Sequence, residues 1–282
     1  MNAISADRRK TTLVTPDGVE IVLEQSGNPA GPEIVFIHGF STSRLCWMKQ
    51  VHGMLARDFR IIAYDLRGHG ESAKPSDPAF YRDAQRWAAE LAAVIDAAEM
   101  RKPVLVAWSY AGRIVADYLR HVGTDAVAGL NIVGAKTNSD PAFNAPLFAP
   151  HQRGMASDDL ETNVRSTIAF VEGCARKWDA PDFAQQVAAA MVVPPCVRAA
   201  LLGRPLDADD LYRAIDIPVL FTHGRHDAIA PLAAAQHGHA ITPNSRLSIY
   251  ENAGHAPFME EPERFNRELA AFVTRSAGVA GL

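Results

Sequence analysis

The feature that most constrains the fold of this chain is a set of short apolar runs that alternate with helical stretches. Runs such as EIVFIHG, FRIIAYD and PVLVAWS each have an unbroken apolar centre and end in glycine or a polar residue. Such runs are typical of strands buried on both faces of a sheet. Between two of them, residues 83–100 place apolar side chains at helical spacing. This alternation predicts an α/β protein, with a mainly parallel sheet covered by helices on both faces.

The alternation is interrupted once, between residues 136 and 205. This stretch has no strand-like run and contains seven prolines. Apolar residues recur at helical spacing after Asp158, which is expected to form a capping box with Glu161. The pattern predicts a helical insertion. We therefore divide the chain into a core domain, residues 1–135 and 206–282, and an inserted helical lid, residues 136–205.

The composition argues against several classes of partner. Hydrophobic residues make up 48% and charged residues 21% of the 282 positions, which is ordinary for a globular protein. A net charge of −4 and the lack of a basic cluster give no reason to expect nucleic acid or a membrane as partner. No secretion signal is recognisable, and the three cysteines are widely spaced. A cytoplasmic protein that acts on a small molecule is expected, and its oligomeric state is left open.

A serine stands where the run PVLVAWS gives way to helical spacing. A serine at a sharp strand-to-helix turn is typical of a nucleophile elbow, G-x-S-x-G, in which small residues flank the serine because strand and helix pass close together. Around Ser109, the glycine positions are taken by Ala107 and Ala111. The steric requirement is met, although the motif match is looser. The alternative is that Ser109 is only the N-cap of a helix.

Two residues further along the chain supply what a serine nucleophile needs. A serine hydroxyl requires a base to take its proton, and a histidine base requires a carboxylate to orient it. Asp227 in HGRHD and His255 in ENAGHAPF each follow a predicted strand. Serine, aspartate and histidine, in that order beyond the carboxyl ends of parallel strands, predict a catalytic triad. Asp140 and Glu251 are alternatives for the carboxylate.

The loop after IHGF predicts an oxyanion hole. The backbone N–H groups of Phe40 and Tyr110 are expected to face the substrate carbonyl, where pre-aimed donors stabilise the developing negative charge. His38 is expected to support this loop through side-chain hydrogen bonds rather than to react.

Two polar motifs have structural interpretations. The stretch DLRGHGES is expected to be a turn in which Asp65 and Arg67 pair locally. His223 and His226 form an H-x-x-H pattern, but no third ligand accompanies them. No metal and no cofactor are therefore expected.

Taken together, VFIHGF, YDLRGHGES, AWSYAG, FTHGRHD and NAGHAPFMEEPERF resemble the α/β-hydrolase superfamily over nearly the whole chain. The resemblance implies an eight-stranded, mostly parallel sheet and hydrolysis by a serine nucleophile. Within the superfamily, the spacing and the DLRGHGES turn are similar to the esterase branch often called non-heme haloperoxidases or perhydrolases. A nucleophilic serine disfavours the haloalkane dehalogenases and epoxide hydrolases, which attack with aspartate.

The expected activity is cleavage of a carboxylic ester or lactone of a small, largely apolar molecule through an acyl-enzyme. Perhydrolysis and carbon–carbon bond hydrolysis could use the same residues, and a non-catalytic ligand-binding protein of this fold is an alternative of another class. The lid carries many large apolar side chains, among them Phe148, so a mainly apolar pocket is expected. The candidate pocket residues are Phe40, Trp108, Tyr110, Phe143, Phe170 and Trp178. Of these, Trp108 directly precedes the nucleophile, so its side chain should point away from the hydroxyl.

Overall fold

A computed structural model describes residues 8–145 and 149–278. In these residues the strands form one sheet, in the order β1-β2-β4-β3-β5-β6-β7-β8. The strands are β1 (Arg9–Val14), β2 (Glu20–Gly27), β3 (Glu33–Ile37), β4 (Arg60–Tyr64), β5 (Val104–Trp108), β6 (Gly129–Val133), β7 (Val219–Gly224) and β8 (Ser245–Tyr250). β2 is antiparallel to both of its neighbours, and all other neighbours are parallel. The predicted mostly parallel, eight-stranded sheet is confirmed.

Burial along the strands explains why the apolar runs identified them. β5, β6 and β7 are buried at every residue, whereas the edge strand β1 alternates between exposed and half-buried positions. In β3, Val35 and Ile37 belong to one hydrophobic cluster, and Ile34 and Phe36 belong to a second. Successive side chains of a strand point to opposite faces, so the sheet has a core on each face.

Helices cover both cores. They are α1 (Met48–Val51), α2 (Leu55–Asp58), α3 (Ala79–Arg82), α4 (Ala84–Ala97), α5 (Ala111–His121), α6 (Ala149–Gly154), α7 (Leu160–Gly173), α8 (Ala180–Met191), α9 (Pro195–Leu202), α10 (Asp209–Ala214), α11 (Leu232–Ile241), α12 (Pro257–Glu260) and α13 (Pro262–Ser276), with 3-10 turns at Arg44–Trp47 and Pro141–Phe143. Within the described stretches, no single helix is long and apolar enough to cross a membrane. Only α8 and α9 together meet that test, as a pair bent by 88°.

The helices α6 to α9 lie between β6 and β7, where the sequence predicts the lid. The two ends of this segment meet in an antiparallel bridge between Asn138 and Asp207. α7 is capped by Asp159 rather than by the expected Asp158, since the Asp159 carboxylate accepts a hydrogen bond from Thr162 N at 2.9 Å. α9 begins at Pro195, since proline is well tolerated in the first turn of a helix. The exact domain boundaries stay a prediction.

The lid segment contacts the carboxyl edge of the sheet through a few polar groups. The Thr42 hydroxyl, on the loop after β3, donates to Gln186 Oε1 of α8 at 2.7 Å. The Tyr110 hydroxyl, directly after β5, donates to the carbonyl of Leu201 in α9 at 3.2 Å. Ligands in parallel sheets bind at this carboxyl edge, so the helices lie over the place where a site is expected.

A buried arginine holds the helices of the lid segment together. Arg198 is completely buried and donates to the Met155 carbonyl at 2.7 Å and to Asn163 Oδ1 at 2.9 Å. It also donates to the carbonyl of Ala190. Burial lowers the pKa of Arg198 to about 10. Because its partners lie in or beside α6, α7 and α8, this one side chain ties four helices into a unit.

Candidate active site

Ser109 lies in a strained turn between β5 and α5. Its φ angle of 55° lies in the left-handed region that non-glycine residues rarely adopt. The flanking Ala107 and Ala111 are fully buried, in line with the expected need for small residues. Gly39, on the loop after β3, passes so close that a Cβ there would lie 3.1 Å from the Cβ of Ser109. This packing holds the serine at the carboxyl edge of the sheet.

His255 reaches the same edge from the loop between β8 and α12. It is 1% exposed, and its carbonyl accepts a 2.8 Å hydrogen bond from the indole N–H of Trp108, the neighbour of Ser109. Its imidazole packs against Gly134, which follows β6 with a φ of 55°. A Cβ on Gly134 would lie 3.1 Å from His255 Nδ1, so glycine is required there. The chain therefore brings His255 beside the turn that carries Ser109.

The carboxylate of Asp227 is held by four hydrogen-bond donors. Its Oδ1 accepts from the backbone N–H groups of Ile229 and Ala230, both at 2.8 Å. Its Oδ2 lies 2.7 Å from His255 Nδ1 and 3.1 Å from His223 Nε2. Burial would raise the pKa of Asp227, but the charge of His255 and the hydrogen bonds from His223 and His255 hold that pKa well below its usual range. Asp227 is therefore a carboxylate at neutral pH.

This arrangement assigns the protons on His255. Because Nδ1 faces a carboxylate, the hydrogen-bond network places the proton of the neutral ring on Nδ1. Nε2 is then the basic nitrogen, and it is buried without a hydrogen-bond partner among the described residues. The two alternative carboxylates lie elsewhere: Asp140 is exposed and caps a 3-10 turn, and Glu251 is exposed and pairs with Arg225.

The two expected oxyanion donors lie on either side of Ser109. Tyr110 follows it directly at the N-terminus of α5, and Phe40 follows Gly39 on the adjacent loop. Within residues 8–145 and 149–278, neither backbone N–H donates a hydrogen bond to another group. The positive end of the α5 dipole adds to a field that favours negative charge at this position.

Two buried histidines hold the loop that carries Phe40. His38 Nε2 accepts from Leu66 N at 3.0 Å, and His69 Nε2 accepts from Ser41 N at 3.2 Å. The Nδ1 atom of each ring lies 2.9 Å from a main-chain carbonyl oxygen, so both rings are neutral. Burial lowers the pKa of His38 to about 4, and burial together with the neighbouring His38 lowers the pKa of His69 to about 3. The two rings join the Phe40 loop to the turn over 65–72.

The expected local pairing of Asp65 with Arg67 is wrong. Asp65 pairs instead with Arg44 from the neighbouring loop. Arg67 pairs with Glu90 of α4 at 2.6 Å and with Asp17 at 2.8 Å. The turn is structural, as expected, but its charges bind elements that are distant in sequence.

Ser109 opens into a cavity of about 340 Å³. The apolar residues that line it are Phe40, Tyr110, Ala135, Ala145, Ala149, Leu201, Leu202, Leu206, Ile229 and Ala230. The polar lining includes Arg113, Lys136, Asn144 and Gln152. Much of the cavity wall is apolar, as the sequence predicts. The cationic part of the wall, formed by Arg113 and Lys136, was not predicted.

Two of the six candidate pocket residues, Phe40 and Tyr110, line this cavity. Phe170 lies behind the wall, with its ring edge-on to Phe40 at 5.9 Å between centroids. Trp108, directly before Ser109, does not line the cavity and packs edge-on against Phe258, with 5.0 Å between ring centroids. Trp108 therefore supports the site through its contacts with Phe258 and His255.

The other two candidates lie outside the cavity, which corrects that part of the prediction. Phe143 packs against His237, with 5.1 Å between ring centroids. Trp178 lines a separate surface depression of about 950 Å³ that includes none of the three proposed triad residues. Both residues were predicted from the aromatic content of the helical segment. That content does not determine how the segment docks on the sheet, and docking decides which side chains face the cavity. Phe148 lies outside the described residues.

Sequence reasoning missed the role of His223. Its Nε2 lies 2.8 Å from the carbonyl of Ala230 and contacts Asp227, whereas His226 is exposed. Burial would lower the pKa of His223, but its hydrogen bond to Asp227 and the charge of that carboxylate raise it. The H-x-x-H pattern thus contains a second partner for the Asp227 carboxylate. The sequence signal for this contact is position: His223 lies at the carboxyl end of β7, four residues before Asp227.

Comparison with known proteins gives consistent matches over most of the chain. The profile of the Alpha/beta hydrolase family matches residues 34–268. A solved structure of a putative aryl esterase from Burkholderia cenocepacia is 36% identical, with a TM-score of 0.91, and the match covers 96% of this chain and 100% of that one. An esterase from Rhodococcus sp. ECU1013 is 35% identical, with a TM-score of 0.88 and coverage of 94% and 98%. A non-heme chloroperoxidase of Streptomyces lividans is 29% identical, over 93% of this chain and 99% of its own length.

Proposed function

Because the chain belongs to the alpha/beta hydrolase family, we propose that it is a serine hydrolase that cleaves carboxylic esters or lactones with Ser109, His255 and Asp227. The observation that carries this proposal is the 2.7 Å contact between His255 Nδ1 and Asp227, beside the strained turn of Ser109. The esterases at 36% and 35% identity support an ester as substrate class.

In the first half of the reaction, the Ser109 hydroxyl oxygen attacks the carbonyl carbon while His255 Nε2 takes its proton. Negative charge moves to the former carbonyl oxygen, where the N–H groups of Phe40 and Tyr110 donate to it. One such donor is worth about 3–4 kcal/mol in the transition state. The bond to the alcohol then breaks, and the leaving oxygen takes the proton from His255. Asp227 stabilises the imidazolium between the two transfers.

In the second half, water replaces the alcohol. His255 Nε2 takes a proton from water, whose oxygen attacks the acyl carbon. The bond to Ser109 then breaks, the serine oxygen recovers the proton, and the acid leaves. This sequence requires no cofactor. Hydrogen peroxide in the place of water would release a peracid, and the similarity to a bifunctional esterase/perhydrolase of Acinetobacter calcoaceticus, 27% identical, supports this perhydrolysis as a second candidate function.

The segment of residues 136–205 acts as the lid of this site. It supplies Leu201 and Leu202 to the cavity wall, and it contacts Tyr110 and Thr42 at the carboxyl edge of the sheet. A lid in this position would bury the apolar part of a substrate in the cavity. A cytoplasmic location is proposed on the composition alone.

The test combines a fluorophosphonate probe, which labels activated serines, with turnover of p-nitrophenyl acetate. We expect labelling and steady turnover of the wild type, loss of both in Ser109→Ala, and retention of both in Ser76→Ala, which removes an exposed hydroxyl. Labelling without turnover would contradict the esterase proposal and favour a ligand-binding protein of the same fold. Labelling that persists in Ser109→Ala would place the nucleophile elsewhere. Peracid formation from acetate and hydrogen peroxide separates the two candidate functions.

A further inference from the structure

Two cationic side chains line the same cavity as the nucleophile. Arg113 lies on α5, four residues after Ser109, and its guanidinium stacks over the Tyr110 ring at 5.7 Å from the centroid. Lys136 follows β6 at the start of the lid segment. They come from different elements and meet in one cavity.

Neither cation pairs with a carboxylate among the described residues. The acid nearest to Arg113 along α5 is Asp117, which forms its ion pair with Arg204 instead. Arg113 Nη1 is buried without a hydrogen-bond partner in the described part of the chain. Among residues 8–145 and 149–278, Lys136 donates only to the side-chain oxygen of Asn144.

The electrostatics of this pair favour an incoming anion. Burial, together with the positive charge of Arg113, lowers the pKa of Lys136 to about 8, so both groups carry charge at neutral pH. Two neighbouring cations that are partly removed from water repel each other unless an anion joins them. The guanidinium is a planar fork that matches the two oxygens of a carboxylate.

The apolar part of the cavity wall indicates which chemical group accompanies the anion in a ligand. Phe40, Leu201, Leu206 and Ile229 leave apolar surface beside the two cations. A substrate with an apolar chain would bury that chain against these residues while its charged end reached the cations.

We propose that the ester or lactone cleaved here carries a carboxylate, which Arg113 and Lys136 bind while an apolar chain fills the rest of the cavity. This rests on the proposed hydrolase function and names its substrate class. The carboxylate makes the substrate amphipathic, because an apolar body is joined to one anionic end. Arg113 and Lys136 then set specificity without taking part in bond breaking.

The kinetic test uses two ester pairs, one for each side of the scissile bond. On the acyl side, the mono-p-nitrophenyl ester of adipic acid is compared with the p-nitrophenyl ester of its monomethyl ester. On the alcohol side, 4-carboxyphenyl acetate is compared with 4-(methoxycarbonyl)phenyl acetate. In at least one pair, kcat/KM should favour the anion by about 10-fold or more, in line with a hydrogen bond to a charged group. Equal rates in both pairs would overturn the inference and leave the hydrolase function intact.

The variants connect that preference to the two cations. Arg113→Met should reduce the anion-to-neutral ratio by about 10- to 100-fold, and Lys136→Met should also reduce it. Arg113→Lys keeps the charge and should retain part of the preference if Arg113→Met does not fold. Arg267→Met removes an exposed cation from α13 and should leave the ratio unchanged. A ratio unaffected by both cavity substitutions contradicts the assignment.

A binding measurement separates this inference from the proposed activity. Ser109→Ala is titrated calorimetrically with monomethyl adipate, an anion, and with dimethyl adipate, its neutral match. The anion should bind at least about 10-fold more tightly, and Arg113→Met in the same background should remove the difference. Equal affinities would overturn the inference even if the wild type hydrolyses esters. Tighter anion binding would support it even if the wild type turns over neither ester.

Discussion

The sheet side and the lid side of the cavity bury charge in different ways. On the sheet side, Arg67 is completely buried and pairs with two carboxylates, Glu90 and Asp17. On the lid side, Arg198 is equally buried but donates to main-chain carbonyls and neutral side chains. One arrangement joins elements far apart in sequence, whereas the other joins neighbouring helices of one segment.

This difference indicates that the sheet side and residues 136–205 have separate roles. The ion pairs of the sheet side fix the turn over 65–72, which holds the loop that carries Phe40 through His38 and His69. The Arg198 network lies within residues 136–205, and other residues of that segment contact the sheet side, among them Gln186 with Thr42, Leu201 with Tyr110 and Arg204 with Asp117. We therefore expect substitutions beside Ser109 on the sheet side to affect chemistry, and substitution of Arg198 to affect stability without abolishing chemistry.

The largest expected effect is on the sheet side. Asp227→Asn should lower kcat for an aryl ester by about 10³- to 10⁴-fold, because the amide no longer selects the tautomer or stabilises the imidazolium. Asp140→Asn, at an exposed cap, is the matched control and should retain full activity. A nearly normal rate for Asp227→Asn would transfer the role to another carboxylate. Both variants are compared by kcat and by thermal unfolding.

The second effect is a pH dependence of stability. Folding lowers the pKa of His38 from 6.5 to about 4. The stability that the neutral ring contributes is therefore fully present above pH 6.5 and is lost as the pH falls towards 4. That loss amounts to about 3 kcal/mol of unfolding free energy. Urea unfolding at several pH values should show a shallower decline for His38→Gln than for the wild type. Parallel curves would contradict a buried, neutral His38.

Third, Arg198→Met should lower the unfolding free energy by about 2 kcal/mol, because it leaves buried carbonyl oxygens without donors. Limited proteolysis should then cut within residues 136–205, while the fluorophosphonate probe still labels Ser109. Arg165→Met, on the exposed face of α7, should change little, because its ion pair with Glu161 lies at the surface. Loss of labelling in Arg198→Met would show that the lid and the triad do not behave as separate regions.

The smallest effect concerns the second partner of Asp227. His223→Gln should lower kcat by about 3- to 10-fold with little change in KM, as expected for one hydrogen bond that positions a carboxylate. His226→Gln, which changes an exposed side chain directly before Asp227, should keep the wild-type rate. An equal loss in both variants would point to a general effect of the β7 loop rather than to contact with Asp227.

The sequence by itself determined the central strands, the parallel sheet and the places of Ser109, Asp227 and His255. Each of these depends on a local pattern, since an apolar run marks a buried strand and the residues just beyond it must lie at the carboxyl edge. Only the tertiary structure decided the partners of Asp65 and Arg67, the second contact of Asp227, and which side chains line the cavity. Trp178 and Arg113 illustrate the reason. Whether a side chain faces Ser109 depends on how the helices dock on the sheet, and docking is set by contacts between distant segments that no local pattern records.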